Sequence, residues 1–209
     1  MTPSVPRTRK SLLLACCLLV TLPPLAVVAG QEVLWAVSHR DEKLALDGVA
    51  NFGRMNDRLY RGAQPTAAGF ARLRDMGVQT VVRLSLGEEG SAAERSVVES
   101  LGMRFVNLPW SSVHDPNADQ VLAFLTLMKE DPDRRVFVHC KAGADRTGVF
   151  VALYRIAFDH WTPARAIDEM KAFHYRRLFL PHLQAYVEQF PARLSSEPAF
   201  VLLESAAVY

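Results

Sequence analysis

From Arg58 onwards the apolar residues follow two rhythms. Thr80-Val81-Val82 and Val136-Phe137-Val138 are nearly uninterrupted short runs, whereas Val121, Leu122, Leu125 and Met128 return at helical spacing. The first pattern reads as strands buried on both faces, the second as the inner side of a helix. Applied along the chain, this predicts a short strand at Arg58-Leu59-Tyr60-Arg61. A helix from Ala67 to about Met76 follows, capped by Thr66, packed through Phe70 and Leu73 and ended by Gly77. A strand is expected within Gln79–Leu86, a helix over Ser91–Leu101 stopped by Gly102, and a strand over Met103–Leu108 ending at Pro109. Trp110–Asn117 is a loop, Ala118–Lys129 a helix, and Asp131-Pro132-Asp133 a turn into the strand at Val136–Val138. Helices are then expected from Arg146 to Phe158, from Pro163 onwards, and over Pro181–Phe190. Strands alternating with helices of about a dozen residues predict an α/β fold, a mostly parallel sheet of four to five strands with helices on both faces.

Outside that alternation the pattern is weaker. Residues 30–57 mix charges with short apolar groups and read as a leader that packs on the domain or is partly mobile, residues 58–194 as the domain, and residues 195–209 as a tail without a clear role. Residues 1–29 differ in kind: Arg7, Arg9 and Lys10 precede an apolar run from Leu12 to Ala29, broken by Thr21, Pro23 and Pro24. This is the layout of a secretory signal peptide, and Val27-Val28-Ala29 offers a cleavage site. The same run is nearly long enough to span a bilayer as an uncleaved anchor. Either way the expected location of the domain is periplasmic or otherwise extracytoplasmic, with membrane association if the segment is retained.

Composition narrows the function classes. The 209-residue chain is half hydrophobic and 22% charged, which suits a globular domain and excludes disorder and a disulfide scaffold. A net charge of +2 with no dense Lys/Arg tract gives no footprint for nucleic acid. Of the three cysteines, Cys16 and Cys17 fall in the export segment, leaving Cys140 alone in the domain. No internal disulfide is then available, and a lone thiol in an oxidising compartment is either buried or used.

Cys140 stands directly after a buried strand and before a helix, at the carboxyl edge where open α/β sheets bind ligands. The small residues of Lys141-Ala142-Gly143-Ala144-Asp145-Arg146 let successive backbone N–H groups converge, and the following helix aims its positive end at the same point. The expectation is an anion cup the size of a phosphate, over which the Arg146 fork can close. A thiol at its floor would have a pKa pulled from about 8.5 towards roughly 3.5–7.5 and act as a nucleophile.

His139, Cys140, Arg146 and Thr147 complete the signature His-Cys-x5-Arg-Ser/Thr, and the chain resembles the cysteine-dependent protein tyrosine and dual-specificity phosphatase superfamily. The stretches Leu59–Pro65 and Ile167–Pro181 resemble bacterial dual-specificity-type members and the plant and fungal atypical enzymes that act on inositol pyrophosphates. Lys141-Ala142-Gly143 is similar to the loop of lipid phosphatases. The resemblance implies a metal-independent phosphomonoesterase without cofactor, in which Cys140 attacks phosphorus and forms a phosphocysteine. Arg146 and the amides from Lys141 to Arg146 would bind the phosphate, Thr147 would steady the sulfur, and His139 would orient the loop through backbone contacts. It also implies a general acid, for which Asp115, in the loop after the third strand, and Asp145, inside the cup, are both candidates. Nor does the chain show metal-ligand motifs such as HExxH or paired cysteines.

Blander readings exist for each residue. Cys140 could be a packed thiol, Asp115 a turn residue before Pro116, and Asp145 an ordinary first-turn acid. His114, His160, His174 and His182 read as surface or satisfied core groups. His174-Tyr175-Arg176-Arg177 could line the mouth of the cup or form a solvated face. Competing functions are a rhodanese-like sulfurtransferase and a catalytically inactive phosphate-binding module. The expected partner is a phosphorylated substrate, whether phosphoprotein, inositol phosphate or lipid phosphate, acted on by a monomer.

Overall fold

The computed structural model describes residues 42–205; residues 1–29, read above as signal or anchor, lie outside them. Six strands form one sheet: β1 (Glu42–Lys43), β2 (Gly53–Arg54), β3 (Leu59–Ala63), β4 (Thr80–Arg83), β5 (Arg104–Asn107) and β6 (Val136–Cys140), in the order β1-β2-β3-β6-β4-β5. β3, β6, β4 and β5 run parallel, as the alternating pattern predicts, and β1 and β2 extend the β3 edge antiparallel. The helices are α1 (Ala67–Asp75), α2 (Glu88–Ser100), α3 (Ala118–Glu130), α4 (Asp145–Ala157), α5 (Pro163–Ala172), α6 (Pro181–Ser196) and α7 (Pro198–Ser205).

The apolar runs of the strands are explained by burial on both sides. Along β6, Val136, Val138 and Cys140 join the larger core with α3 to α7, while Phe137 packs on the opposite face with Phe70 and Leu73 of α1 and Val98 of α2. A fully buried side chain of this size contributes roughly 1.5–3 kcal/mol over an exposed one, so each face independently fixes the register of β6.

α2 starts at Glu88, three residues before the expected Ser91, and three other boundaries differ from the sequence reading by more. β1 and β2 fall inside the segment read as a leader, and Val49, Phe52 and Met55 of that segment are buried in the two cores. α6 runs through Pro191 to Ser196, past the expected stop at Phe190. The tail contains α7, where Phe200 is fully buried against Phe190 with ring centroids 5.6 Å apart. In each case tertiary packing overrides a weak local signal.

Inserting β6 between β3 and β4 places Cys140 in the middle of the sheet's carboxyl edge. Ala63 pairs with Cys140 on one side, and Arg83 with His139 on the other.

Candidate active site

β6 ends at Cys140 and α4 begins at Asp145, so residues 141–144 must turn within a few ångströms of β3. Gly143 makes this possible. Its φ is +66°, and a Cβ there would lie 2.3 Å from the Gly62 carbonyl carbon, so both the backbone conformation and the close approach require glycine. The loop carbonyls are drawn outward. Asn51 Nδ2 donates to Ala142 O at 3.3 Å and Gly143 O at 3.0 Å, and Arg61 Nη2 donates to Gly143 O at 2.9 Å. With carbonyls turned out, the amides of the loop are free to face the centre.

α4 adds to this field. α1, α3 and α5 each have a side-chain N-cap, from Thr66, Asn117 and Thr162, whereas α2, α4 and α6 have none, and at α4 the capping position is Ala144, whose side chain cannot cap. The first amides of α4 are therefore left for an anion and for the sulfur.

Cys140 is a free thiol, 3% exposed. Burial pushes its pKa up and is the largest single influence, yet the net effect is downward. The Thr147 hydroxyl and N–H, the Arg146 guanidinium and the Ala142 N–H together favour the thiolate more than burial opposes it. Thr147 is fully buried, and its Oγ1 has no nitrogen or oxygen partner, which leaves the hydroxyl to the sulfur. Arg146 donates from Nη1 to Leu84 O and Trp110 O, each at 3.2 Å. Those carbonyls tie the guanidinium to the end of β4 and to the loop after β5. The cleft above has a volume of about 300 Å³ and is lined by Gln64, Arg83, Ser85, Ser111, Lys141 and Arg146 among others.

Cys140, Arg146, Thr147 and the Ala142 amide thus converge. The other candidates lie around this centre. His139 is fully buried, stacks on Phe137 at 5.6 Å and engages Glu94 Oε1 through Nε2 at 2.7 Å. It therefore works through its ring as well as its backbone, locking β6 to α2. Glu94 also accepts from Gln64 Nε2 at 3.1 Å and pairs with Arg83 at 3.5 Å. Asp145 is held by Arg176. Its Oδ1 accepts from Arg176 N at 2.9 Å and its Oδ2 from Arg176 Nε at 2.8 Å, with Arg176 Nη2 also within 2.7 Å. Arg176 brings the loop between α5 and α6 to the wall of the cup. Asp115 is exposed on the loop after β5, whose Ser111 and Ser112 border the cleft, and its charge acts on Tyr186 of α6. Lys141 is exposed at the mouth. Among the described residues no group of His, Cys, Asp and Glu could hold a metal ion.

Asn51, Arg61 and Glu94 were not singled out from the sequence. Arg61 carries a readable signal, since an arginine inside the buried strand Leu59-Tyr60-Arg61-Gly62-Ala63 must have polar partners. Asn51 has only its identity as a residue that tolerates φ near +51°.

Comparison with known proteins agrees with this geometry. Residues 41–178 match the family described as DSP-PTPase phosphatase fused to NAD+ kinase. The dual specificity protein phosphatase TpbA of Pseudomonas aeruginosa strain UCBPP-PA14 is 31% identical over 156 residues, covering 70% of this chain and 69% of the relative. The crystal structure of P. aeruginosa TpbA with its cysteine changed to serine, in complex with pTyr, aligns with a TM-score of 0.61 at 27% identity, covering 79% of this chain and 96% of that one. The core catalytic domain of the PP-IP phosphatase SIW14 from S. cerevisiae aligns with a TM-score of 0.62 at 16% identity, covering 78% of this chain and 96% of that one, a likeness of fold.

Proposed function

The chain belongs to the dual-specificity and tyrosine phosphatase family and is a cysteine-dependent phosphatase of phosphate monoesters, and from that premise we propose how its residues divide the work. Cys140 attacks phosphorus in line with the leaving oxygen and forms a phosphocysteine. Arg146 and the amides of residues 141–146 take the charge that develops on the equatorial oxygens. Thr147 donates to the departing sulfur when water cleaves the intermediate. The carrying observation is a buried thiol whose pKa is nevertheless lowered, because its surroundings favour the thiolate more than burial opposes it.

Asp115 is the proposed general acid. In its favour, both carboxylate oxygens of Asp145 are already engaged by Arg176, whereas Asp115 is exposed on a loop whose root holds Arg146. Closure of that loop over a bound ester would bring Asp115 to the leaving oxygen. Asp145 then acts by fixing Arg176 beside the cup.

The proposed substrate class is an aryl phosphate such as phosphotyrosine, supported by the likeness to a phosphatase crystallised with pTyr. Inositol phosphates and lipid phosphates are the other classes that the cationic cleft admits. We further propose that residues 1–29 export the chain, so that hydrolysis takes place outside the cytoplasm, with membrane association if that segment is retained. The basic start and apolar run up to Ala29 support this reading.

The test is phosphate release across these three classes by wild type and by Cys140→Ser, Asp115→Asn and Asp145→Asn. Loss with Cys140→Ser on every substrate is expected. Asp115→Asn is expected to lower kcat by about 10²–10⁴ on poor leaving groups and far less on good ones. The acid assignment fails if that leaving-group dependence belongs to Asp145→Asn instead.

A further inference from the structure

The amides of the cup can face inward only while their carbonyls point elsewhere, and two residues far away in sequence bond the carbonyls of residues 142–144. Asn51 Nδ2 spans three carbonyls: Ala142 O at 3.3 Å, Gly143 O at 3.0 Å and Phe173 O at 3.1 Å. Arg61, fully buried in β3, donates to Gly143 O at 2.9 Å and reaches Ala144 O at 3.5 Å. Its guanidinium is itself fixed, 4.0 Å from the Phe173 ring and 3.8 Å from Glu169 Oε1. Three consecutive carbonyls of the loop are thus gripped from behind. Asn51 reaches them from a left-handed backbone conformation, φ +51°, which aims its amide at the loop.

We propose that Asn51 and Arg61 are positioning residues of the phosphate cup. They act on the substrate through the loop by fixing the direction of its peptide dipoles. The inference rests on the reading of that loop as the phosphate site. A peptide unit that swings by even part of a turn replaces an inward N–H by an inward C=O, which repels both the thiolate and the phosphoryl oxygens. The brace therefore controls nucleophile ionisation, anion affinity and transition-state stabilisation together. Asn51 also binds Phe173 O, so the same amide ties the cup to the end of α5, just before the loop that carries Arg176.

Position 51 permits a clean test because its backbone conformation suits glycine. Asn51→Gly removes the donor while leaving φ unstrained, and Asn51→Asp keeps the shape but turns a donor into an acceptor. The readouts are the pH midpoint of Cys140 alkylation, the affinity for orthovanadate, kcat and KM on an aryl phosphate, and the melting temperature. Both variants are expected to raise the alkylation midpoint, to weaken vanadate binding and to lower kcat/KM by about tenfold to a hundredfold. The aspartate variant is expected to show the larger upward shift, because it adds a negative charge behind the loop. Cooperative melting is expected to persist. If the alkylation midpoint and vanadate affinity stay within about twofold of wild type, the brace is irrelevant to the cup and the proposal falls. Loss of cooperative melting in both variants also overturns it, by making Asn51 a residue of the fold. Failure of the phosphatase reading is seen separately, as absence of phosphate release by wild type, and leaves the alkylation arm readable.

Discussion

Cys140 has an environment that works against itself: burial disfavours the thiolate, and hydrogen bonds and Arg146 outweigh burial. The balance has a thermodynamic consequence. Since the folded-state pKa lies below the ordinary 9.0, the unfolded chain holds the thiol proton more tightly. Stability contributed by the thiolate is therefore fully present above pH 9.0 and disappears as pH falls through the lowered folded value. Each unit of that lowering is worth about 1.4 kcal/mol. Wild type should gain stability relative to Cys140→Ser as the buffer is taken from pH 6 to about pH 9, measured by urea midpoints in buffers free of phosphate and sulfate, whose binding would mask it. A constant difference across that range would show that the surroundings do not favour the anion. The candidate nucleophile was legible at this scale from the His-Cys-x5-Arg-Thr signature taken with the buried strand before it and the helix after it. Asn51 and Arg61 were not, since they bond to the loop from 92 and 82 residues away and a linear pattern does not encode that contact.

At the scale of elements, strong periodicity located the parallel strands and most helices, and packing decided the rest. Pro191 marks a stop by local rules, yet α6 continues because Phe190 and Val187 are buried inside it and α7 packs against its end. β1 and β2 are two residues each, too short for period-two alternation to register. Their pairing with β3 stabilises them, not their composition. α7 lies against α3 and α6, and Phe200 is its anchor. Phe200→Ala should therefore lower the unfolding free energy by about 3–5 kcal/mol, while kcat/KM of the folded enzyme at 25 °C stays near wild type. Chemical denaturation beside a phosphate-release assay checks both halves. A small loss of stability would mean that α7 merely rests on the domain.

For the molecule as a whole, the order of strands matters more than their number. The export reading is tested here too: expression of the full chain in a secreting bacterium should yield a mature protein whose mass corresponds to a start at Gly30, and an intact N-terminus in the membrane fraction would favour the anchor. Recovery of the intact chain in the soluble cytoplasmic fraction would overturn both. β6 enters the sheet between β3 and β4, strands that both precede it in the chain. The neighbours that sharpen the sulfur, Gly62 behind the loop and Leu84 under Arg146, thus meet only when that slot is filled. An unfolded polypeptide accordingly carries an unremarkable sulfhydryl, and its chemical reactivity belongs to the assembled sheet, with β6 seated between β3 and β4.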